Sequence, residues 1–243
     1  MKLLFLAAVL CAERLWPLRP RREPSARHVG RDAAMAAMSV VATGVLQSLL
    51  LPRQQRTKAV PRAVLDFLLL DYTLWQWHWL NHHVPLLWRF HRVHHADLDL
   101  DAATGARFHF GEMSLSVLFR WLQLVAIRPD ARALSVWQTT LLASIAFHHS
   151  NTRLPEEVDR VVARVIVTPR LHGIHHSIVE RETNSNYASL LTVWDFLHGA
   201  FRDDVPQEAI TIGVRELQRP EDVTLPRLIT MPFEADRGDD RPA

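Results

Sequence analysis

The feature that most constrains this chain is a set of histidines gathered into short, regularly spaced stretches. Nine of the 14 histidines lie within residues 78–82, 91–95 and 172–176 or at His149, in a chain of 243 residues. The second and third stretches share the pattern H-x-x-H-H and lie about 80 residues apart. Neutral imidazole is the commonest metal-binding side chain near neutral pH, and imidazole-rich sites suit iron, zinc, copper and nickel. The grouping therefore predicts a polynuclear metal site.

Each stretch has the spacing of one helix face. His78 and His82 are four residues apart, and the histidines within 91–95 are three and four residues apart. Side chains at these spacings lie on the same side of a helix. Thr168 followed by Pro169 predicts an N-cap and a first helical residue ahead of the third stretch. We therefore expect three short helical faces that present imidazoles to a common point.

The number of imidazoles is too large for a single ion. A structural zinc takes four ligands, and a catalytic zinc usually takes three and a water. Eight or nine imidazoles suit two ions with four or five ligands each, and open positions near a bilayer would suit oxidation of a lipid C–H bond. Gly173 lies inside the last of these helices, where glycine costs about 1 kcal/mol. This glycine predicts a close approach of backbone or ligand.

Long apolar segments predict an integral membrane protein. Hydrophobic residues make up 48% of the chain, and the segment 33–52 is almost free of charge. Its length of about twenty residues is the length needed to cross a bilayer. Further apolar segments are 3–9, 64–80, 113–127 and 133–147. We expect about four crossings, with the short first segment half-inserted, and the charge-free segment disfavours the alternative of a soluble protein with very apolar helices.

The basic residues between these segments predict the topology. Six arginines lie between the first and second segments, and Arg53, Arg56, Lys58 and Arg62 lie between the second and third. The bias favours the first loop inside, which places all histidine groups on the cytoplasmic side. The arginine-, alanine- and leucine-rich composition is typical of a GC-rich bacterial genome, so the expected location is the bacterial inner membrane. The expected fold is an all-α integral membrane protein with about four transmembrane helices and a cytoplasmic helical cap that carries the histidine cluster.

Several functional classes are disfavoured by what the sequence lacks. The net charge of +2 is too small to indicate nucleic-acid binding. The single cysteine, Cys11, excludes an intrachain disulfide and a Cys-based zinc or iron–sulfur site. The chain has no H-E-x-x-H, G-x-S-x-G, G-x-G-x-x-G or P-loop motif. It also has no haem segment of the cytochrome b5 type, so electrons for an oxidation must come from a separate protein.

Seven motifs follow one another through the middle of the chain, from about residue 66 to residue 201. They are Asp71-Tyr72-x5-His78-x3-His82, Pro85-Leu86-Leu87-Trp88-Arg89-Phe90-His91-x2-His94-His95, Arg107-Phe108-His109-x2-Glu112, His149-Ser150-Asn151, Thr168-Pro169-x2-His172-x2-His175-His176, Asn186-Tyr187 and Trp194-Asp195-Phe196-Leu197-x-Gly199. Together they resemble the sterol desaturase/fatty acid hydroxylase superfamily. The chain departs from the usual pattern at Phe110, where proline is usual, and at Ala188, where glycine is usual.

The resemblance implies a membrane-bound di-iron oxygenase that hydroxylates or desaturates a lipid such as a sterol or fatty acyl chain. Such an enzyme uses O₂ and electrons from a separate donor, either ferredoxin-like or cytochrome b5-like with a reductase. Two iron ions are implied, with zinc as a substitute in purified material. The implied metal ligands are His78, His82, His91, His94, His95, His149, His172, His175 and His176.

Polar residues near these histidines are expected to orient the rings. The candidates are Asp71, Asp97, Asp101, Glu112, Asn186 and Asp195. Asp71 and Asn186 are assigned as catalytic, Asp71 because a charge within a crossing helix is costly and usually functional. His109 and His148 remain open as further ligands, and His28 is expected to be incidental. The tryptophans around His78 are expected to form an interfacial belt.

The chain is divided by prediction into three parts. Residues 1–62 hold N-terminal membrane helices and basic loops, residues 63–202 form the catalytic domain, and residues 203–243 form a C-terminal cytoplasmic tail. Within the tail, 209–214 predicts a short strand and 234–243 predicts disorder. Two other functions stay open on the same histidines: a membrane zinc hydrolase, which would need neither O₂ nor reductant, and a metal-binding sensor, whose loss would leave lipids unchanged.

Overall fold

The computed structural model describes residues 2–50 and 60–234, which fold into helices joined by loops. The longer helices are α1 (Lys2–Leu15), α2 (Ser25–Leu50), α3 (Val60–His83), α4 (Pro85–His95), α5 (Phe110–Ile127) and α6 (Ala131–His149). The shorter helices are α7 (Glu156–Val162), α8 (Pro169–His175), α9 (Glu180–Thr183), α10 (Val193–Leu197) and α11 (Leu225–Thr230). Within the described residues, strand pairing is limited to three isolated bridges. The prediction of an all-α fold is confirmed.

Two helices, α2 and α5, are long and apolar enough to cross a membrane by length and composition. The other two predicted crossings correspond to α3 and α6, which are long but more polar because α3 carries Asp66 and Asp71 and both helices end in histidines. The count of four crossings and the cytoplasmic position of the histidines therefore stay predictions. The basic residues 53–58 and the tail end at 235–243 lie outside the described residues.

The helices begin where the sequence provides caps. Pro169 starts α8 behind Thr168, whose hydroxyl accepts the backbone N–H of Leu171, so the predicted N-cap is confirmed. Asp130 caps α6 in the same way, accepting two backbone N–H groups. These caps fix where α6 and α8 begin and therefore which face their histidines occupy.

The long helices pack around α3 and against the cap. α2 lies along α5, α3 packs against α4, α5 and α6, and α6 packs against α8. The contacts place the ends of α3 and α6 beside the two short helices α4 and α8. All four histidine-bearing elements thus meet at one end of the helix bundle.

Much of the predicted tail is part of a core. Residues of the tail pack with residues of α2 and α4 in one buried apolar cluster, whose members are Met35, Val93, Ala96, Leu98, Val214, Val223, Leu228 and Met231. The predicted strand over 209–214 is wrong. Its backbone makes a single bridge, between Ile212 and Ser177, and Gly213 has φ +126°, which interrupts an extended run.

A buried ionic cluster joins α2 to the loop after α4. His28 is fully buried, and its ring nitrogens lie 2.9 Å from Asp97, 3.5 Å from Asp32 and 3.4 Å from Asp101. The guanidinium groups of Arg31 and Arg107 also pair with Asp97, at 2.9 and 2.6 Å. The expectation that His28 is incidental is therefore wrong, because it lies at the centre of the contact between two elements. The arginines already neutralise these carboxylates, so the cluster is an ion-pair network.

Candidate metal centre

The structure places the nine histidines of the three stretches and His149 in two compact groups. The first group contains His78, His82, His91, His95 and His175. The second group contains His94, His149, His172 and His176. Within each group, one ring nitrogen from every residue lies within 4.8 Å of the others. Each H-x-x-H-H motif is divided, so that α4 and the α8 segment each contribute ligands to both groups.

The facing nitrogens are at the separation expected around an ion. Nε2 of His78 lies 3.0 Å from Nε2 of His175 in the first group. In the second group, Nε2 of His149 lies 3.2 Å from that of His94 and 3.0 Å from that of His172. Nitrogens bound to one ion at 2.0–2.1 Å are about 3.0 to 3.4 Å apart. The donor atoms in both groups therefore fit a metal ion of the transition series.

Backbone carbonyls determine which nitrogen carries the proton. Nδ1 of His78 donates to the carbonyl of Tyr187 at 2.6 Å, and Nδ1 of His175 donates to the carbonyl of Ser185 at 2.7 Å. The facing Nε2 atoms of these two neutral rings are then both unprotonated. Two lone pairs 3.0 Å apart repel one another unless a cation lies between them.

The second group repeats this arrangement. Nδ1 of His94 donates to the carbonyl of Arg107 at 3.2 Å, and Nδ1 of His149 donates to that of Ile145 at 2.9 Å. Their Nε2 atoms again face one another without a proton. Such carbonyl partners fix the tautomer and ring orientation of metal-bound histidines.

Burial keeps the rings neutral. Desolvation, and then the neighbouring imidazoles, lower the pKa of His94, His95, His172 and His176 well below 6.5. Desolvation lowers the pKa of His175 to about 3. Since only the unprotonated nitrogen binds a metal, these directions favour ligation near neutral pH.

One turn of the chain holds the first group in place. It spans 185–188 and supplies both carbonyls that accept from His78 and His175. Asp195 fixes the turn by accepting the backbone N–H groups of Tyr187 and Ala188 at 2.9 and 3.1 Å. Asn186 has φ 53° within this turn, and its side chain bonds the backbone of Arg202 and Leu171. The predicted residues Asn186 and Asp195 therefore lie behind the histidines.

Of the remaining predicted polar residues, Glu112 contacts a histidine of the groups. Its Oε1 lies 2.8 Å from Nδ1 of His91. Asp71 accepts from the indoles of Trp137 and Trp194 and from the backbone of Leu191. Asp97 and Asp101 belong to the ionic cluster around His28. The assignment of Asp71 and Asn186 as catalytic stays a prediction, and their hydrogen bonds place them in the supporting frame.

The other histidines lie outside the two groups. His109 caps α5 and its Nε2 lies 3.2 Å from the carbonyl of Ile229. The ring of His148 packs on those of His149 and His172, with centroids 4.6 and 4.2 Å away. His83 and His198 are exposed and stack on tryptophans.

Gly173 is explained by a side chain. The guanidinium of Arg19 packs against its Cα, where a Cβ would overlap Nη2 of the arginine. Arg19 is nine-tenths buried and donates from Nη2 to the carbonyl of Pro169 at 2.9 Å. The prediction of a close approach is correct, but the approaching group is neither backbone nor ligand.

An apolar cavity of about 210 Å³ opens beside both groups. It lies between α3, α5 and α6, and histidines of both groups contribute to its wall, as do Trp77, Phe108, Phe119, Leu141 and Ile145. Trp77 was expected in an interfacial belt, but here it faces this cavity. Asn81, which was not among the predicted site residues, also lines the cavity, is 2% exposed and has no hydrogen-bond partner for Oδ1 within residues 2–50 and 60–234. Its position between His78 and His82 was the signal that could have identified it.

Comparison with known proteins gives consistent similarities. A family model described as fatty acid hydroxylase matches residues 63–200. An ornithine lipid hydroxylase of Rhizobium tropici is 29% identical over 63% of this chain and 45% of its own length. An alkylglycerol monooxygenase of Xenopus tropicalis is 30% identical over 56% of this chain and 30% of its own. A cholesterol 25-hydroxylase of Mus musculus is 26% identical over 68% and 56%.

The region that the family model matches carries all nine histidines of the two groups. The chain spans less than half the length of the first two relatives and about half that of the third. No solved structure matches the chain.

Proposed function

Because the chain belongs to the fatty acid hydroxylase family, we propose that it is a membrane-bound oxygenase that hydroxylates or desaturates a lipid. The observation that supports this most directly is the pair of facing, unprotonated Nε2 atoms in each histidine group. Both arrangements suit a bound cation, and the cavity beside them suits an apolar chain. The relatives are named as hydroxylases or monooxygenases of lipids, which is the kind of activity proposed here.

We propose that two iron ions are held here, the first by His78, His82, His91, His95 and His175 and the second by His94, His149, His172 and His176. Bound iron would supply the redox chemistry that activates O₂, with electrons from a separate donor protein. The site lies at the end of helices that we take to cross a bacterial inner membrane, and we place it on the cytoplasmic side.

The protein's own residues have three tasks in this proposal. Carbonyls of the 185–188 turn hold two imidazoles with Nε2 toward the metal. The cavity wall excludes water and aligns the hydrocarbon with the histidines, which is the positioning that a C–H oxidation requires. Asn81 presents a buried amide for an oxygen or hydroxyl near the first group.

The test is metal content and lipid turnover of detergent-purified protein. We expect about two irons per chain in the wild type and a loss of iron in His94→Ala, with His83→Ala, an exposed histidine, as the control. Hydroxylated or desaturated lipid should form only with O₂ and a reductant. Two zincs after iron-replete growth, with turnover independent of O₂, would instead support the zinc hydrolase, and bound metal without any change in lipids would support the sensor.

A further inference from the structure

Arg120 places a positive charge in the wall of the apolar cavity. It lies on α5, a helix apolar enough to cross a membrane, and lines the same cavity as His78, His91 and His149. A charged side chain within such a segment is costly and usually marks a functional site.

The charge of Arg120 has no anionic partner among the described residues. Its Nη1 donates to Oε1 of Gln123 at 2.6 Å, and its guanidinium lies 4.5 Å from the ring centroid of Trp137. Asp71 accepts a hydrogen bond from Nε1 of that indole but forms no ion pair with Arg120. A guanidinium has five N–H donors in a planar fork that matches a carboxylate or phosphate. A neutral amide and an aromatic face leave most of that capacity unused.

Gln123 is oriented so that it supports the arginine. Its Nε2 donates to the carbonyl of Leu70 at 3.0 Å and contacts the hydroxyl of Thr73. The amide oxygen therefore faces Arg120, and the guanidinium is held at the cavity wall. A side chain held in one position loses less freedom when it binds a ligand.

Arg120 is at a defined distance from the metal centre. Glu112, which contacts His91, is eight residues earlier on α5. Eight residues of α-helix correspond to a rise of about 12 Å. The cavity therefore has imidazoles near one end and a guanidinium about two helical turns away.

We propose that Arg120 binds the anionic group of an acidic lipid, a carboxylate or a phosphate, while the hydrocarbon chain extends along the cavity to the histidine groups. The substrate class follows from charge complementarity within an apolar cavity. This inference rests on the proposed function for the identity of the cavity as the substrate site. Arg120 would determine which lipids bind and which carbon of the chain reaches the metal.

The experiment compares probes that share one chain and differ in the terminal group: hexadecanoate, hexadecyl phosphate and hexadecanol. Dissociation constants are measured on metal-loaded protein in a nonionic detergent by tryptophan fluorescence, since Trp77 lines the cavity and Trp137 lies under Arg120. We expect at least one acidic probe to bind wild-type protein tenfold or more tightly than hexadecanol. Preference for hexadecanoate would identify a carboxylate lipid, and preference for hexadecyl phosphate would identify a phosphate lipid.

The variants test whether Arg120 is the source of this preference. Arg120→Gln should bind all three probes with similar affinity, whereas Arg120→Lys should retain most of the preference. Arg132→Gln removes an exposed charge at the start of α6 and should leave all three affinities unchanged. Equal affinities in the wild type, or a preference that survives in Arg120→Gln, would overturn the inference.

Two further results keep these conclusions separate from the proposed function. If Arg120→Gln loses its metal and does not fold, the probe affinities of the wild type and of Arg120→Lys still test the inference. Both of these proteins keep a positive charge at position 120. Binding needs no turnover, so an acidic preference without lipid oxidation would reject the oxygenase and retain the anion site. Oxidation of lipids without a preference for acidic probes would support the oxygenase and reject the anion site at Arg120.

Discussion

At His91 a carboxylate takes the place that backbone carbonyls occupy at His78, His94, His149 and His175. Oε1 of Glu112 lies 2.8 Å from Nδ1 of His91, and the side chain is 3% exposed. A carboxylate partner raises the basicity of a ligating imidazole more than a neutral carbonyl does. Glu112 therefore orients His91 and, if the first group holds an ion, would strengthen this donor from behind the ring.

Replacing Glu112 with Gln should weaken metal binding by about 10- to 100-fold, the usual effect of losing such a partner. The amide keeps the shape and can accept the Nδ1 proton, but it carries no charge. Competition with a chelator measures the affinity, and the second group should keep its ion. Glu157→Gln, an exposed change on α7, is the control. An unaltered affinity in Glu112→Gln would mean that the carboxylate is not needed to hold the metal.

The nine histidines that the structure gathers were all named from the sequence, eight by their spacing and His149 by the family resemblance, but their hydrogen-bond partners were not. The i, i+3 and i, i+4 intervals identify rings on a shared face regardless of tertiary structure. Six polar residues were candidates for orienting them, with Asp71 preferred, and it is the packing of α5 against α4 that places Glu112 rather than Asp71 beside a histidine. Most of the other partners are backbone carbonyls, which carry no signal in the residue type.

At the scale of elements, the 185–188 turn acts as a support for the first group alone. The carbonyls of Ser185 and Tyr187 accept hydrogen bonds from histidines of that group. Asp195 holds the turn through the backbone N–H groups of Tyr187 and Ala188. Asp195 also accepts the indole N–H of Trp75 at 2.7 Å, which ties the turn to α3. A fault in this support should affect one metal site before the other.

Asp195→Asn should therefore lower occupancy of the first site and spare the second. An amide offers one accepting oxygen, so one of the three N–H donors loses its partner in a buried position, at a cost of about 1–3 kcal/mol. Metal content should fall from about two ions per chain toward one. Asp203→Asn, an exposed change nearby, should leave the content unchanged. Equal loss from both sites would show that the turn supports the centre as a whole.

The elements themselves were partly predictable. Local chemistry identified the start of α8 at Pro169 behind its N-cap Thr168, because a cap or a proline acts within one turn of the chain. The 5-and-4 division of the histidines was not predictable, since it depends on the angle at which α4 meets the α8 segment. The predicted strand at 209–214 failed because strand formation needs a partner along its whole length, and only Ile212 has one.

At the scale of the molecule, the His28 cluster links the N-terminal part of the chain to the cap. Its ring contacts three carboxylates, of which two belong to the loop after α4. The sequence gives no local signal for the role of His28, which was expected to be incidental. Its burial depends on α2 lying over a loop some seventy residues later, which no local pattern reports. The same holds for the number of crossings, since the polarity of α3 and α6 reflects contacts made inside the bundle.

His28→Gln should reduce the free energy of unfolding by about 3–5 kcal/mol, the range for breaking a buried ion pair, because it removes one of the buried cations that balance the converging carboxylates. For a chain of this size that corresponds to a melting temperature lower by about 6–20 °C. Thermal unfolding in detergent, followed by tryptophan fluorescence, gives the value. His83→Gln should melt like the wild type. If His28→Gln also did so, the cluster would contribute nothing to stability.

Because each H-x-x-H-H motif is divided between the two histidine groups, metal binding would also stabilise the fold. An ion in the first group would join α3 and α4 to α8, and an ion in the second group would join α4 and α6 to the α8 segment. The ligands joined in this way are separated by some twenty to nearly a hundred residues. Such links stabilise a chain by closing long loops that are costly to close by packing alone. Synthesis must therefore reach residue 175 before the first site can close and residue 176 before the second can close. The supply of iron during synthesis would then determine how many chains reach the folded state, as well as how many are active.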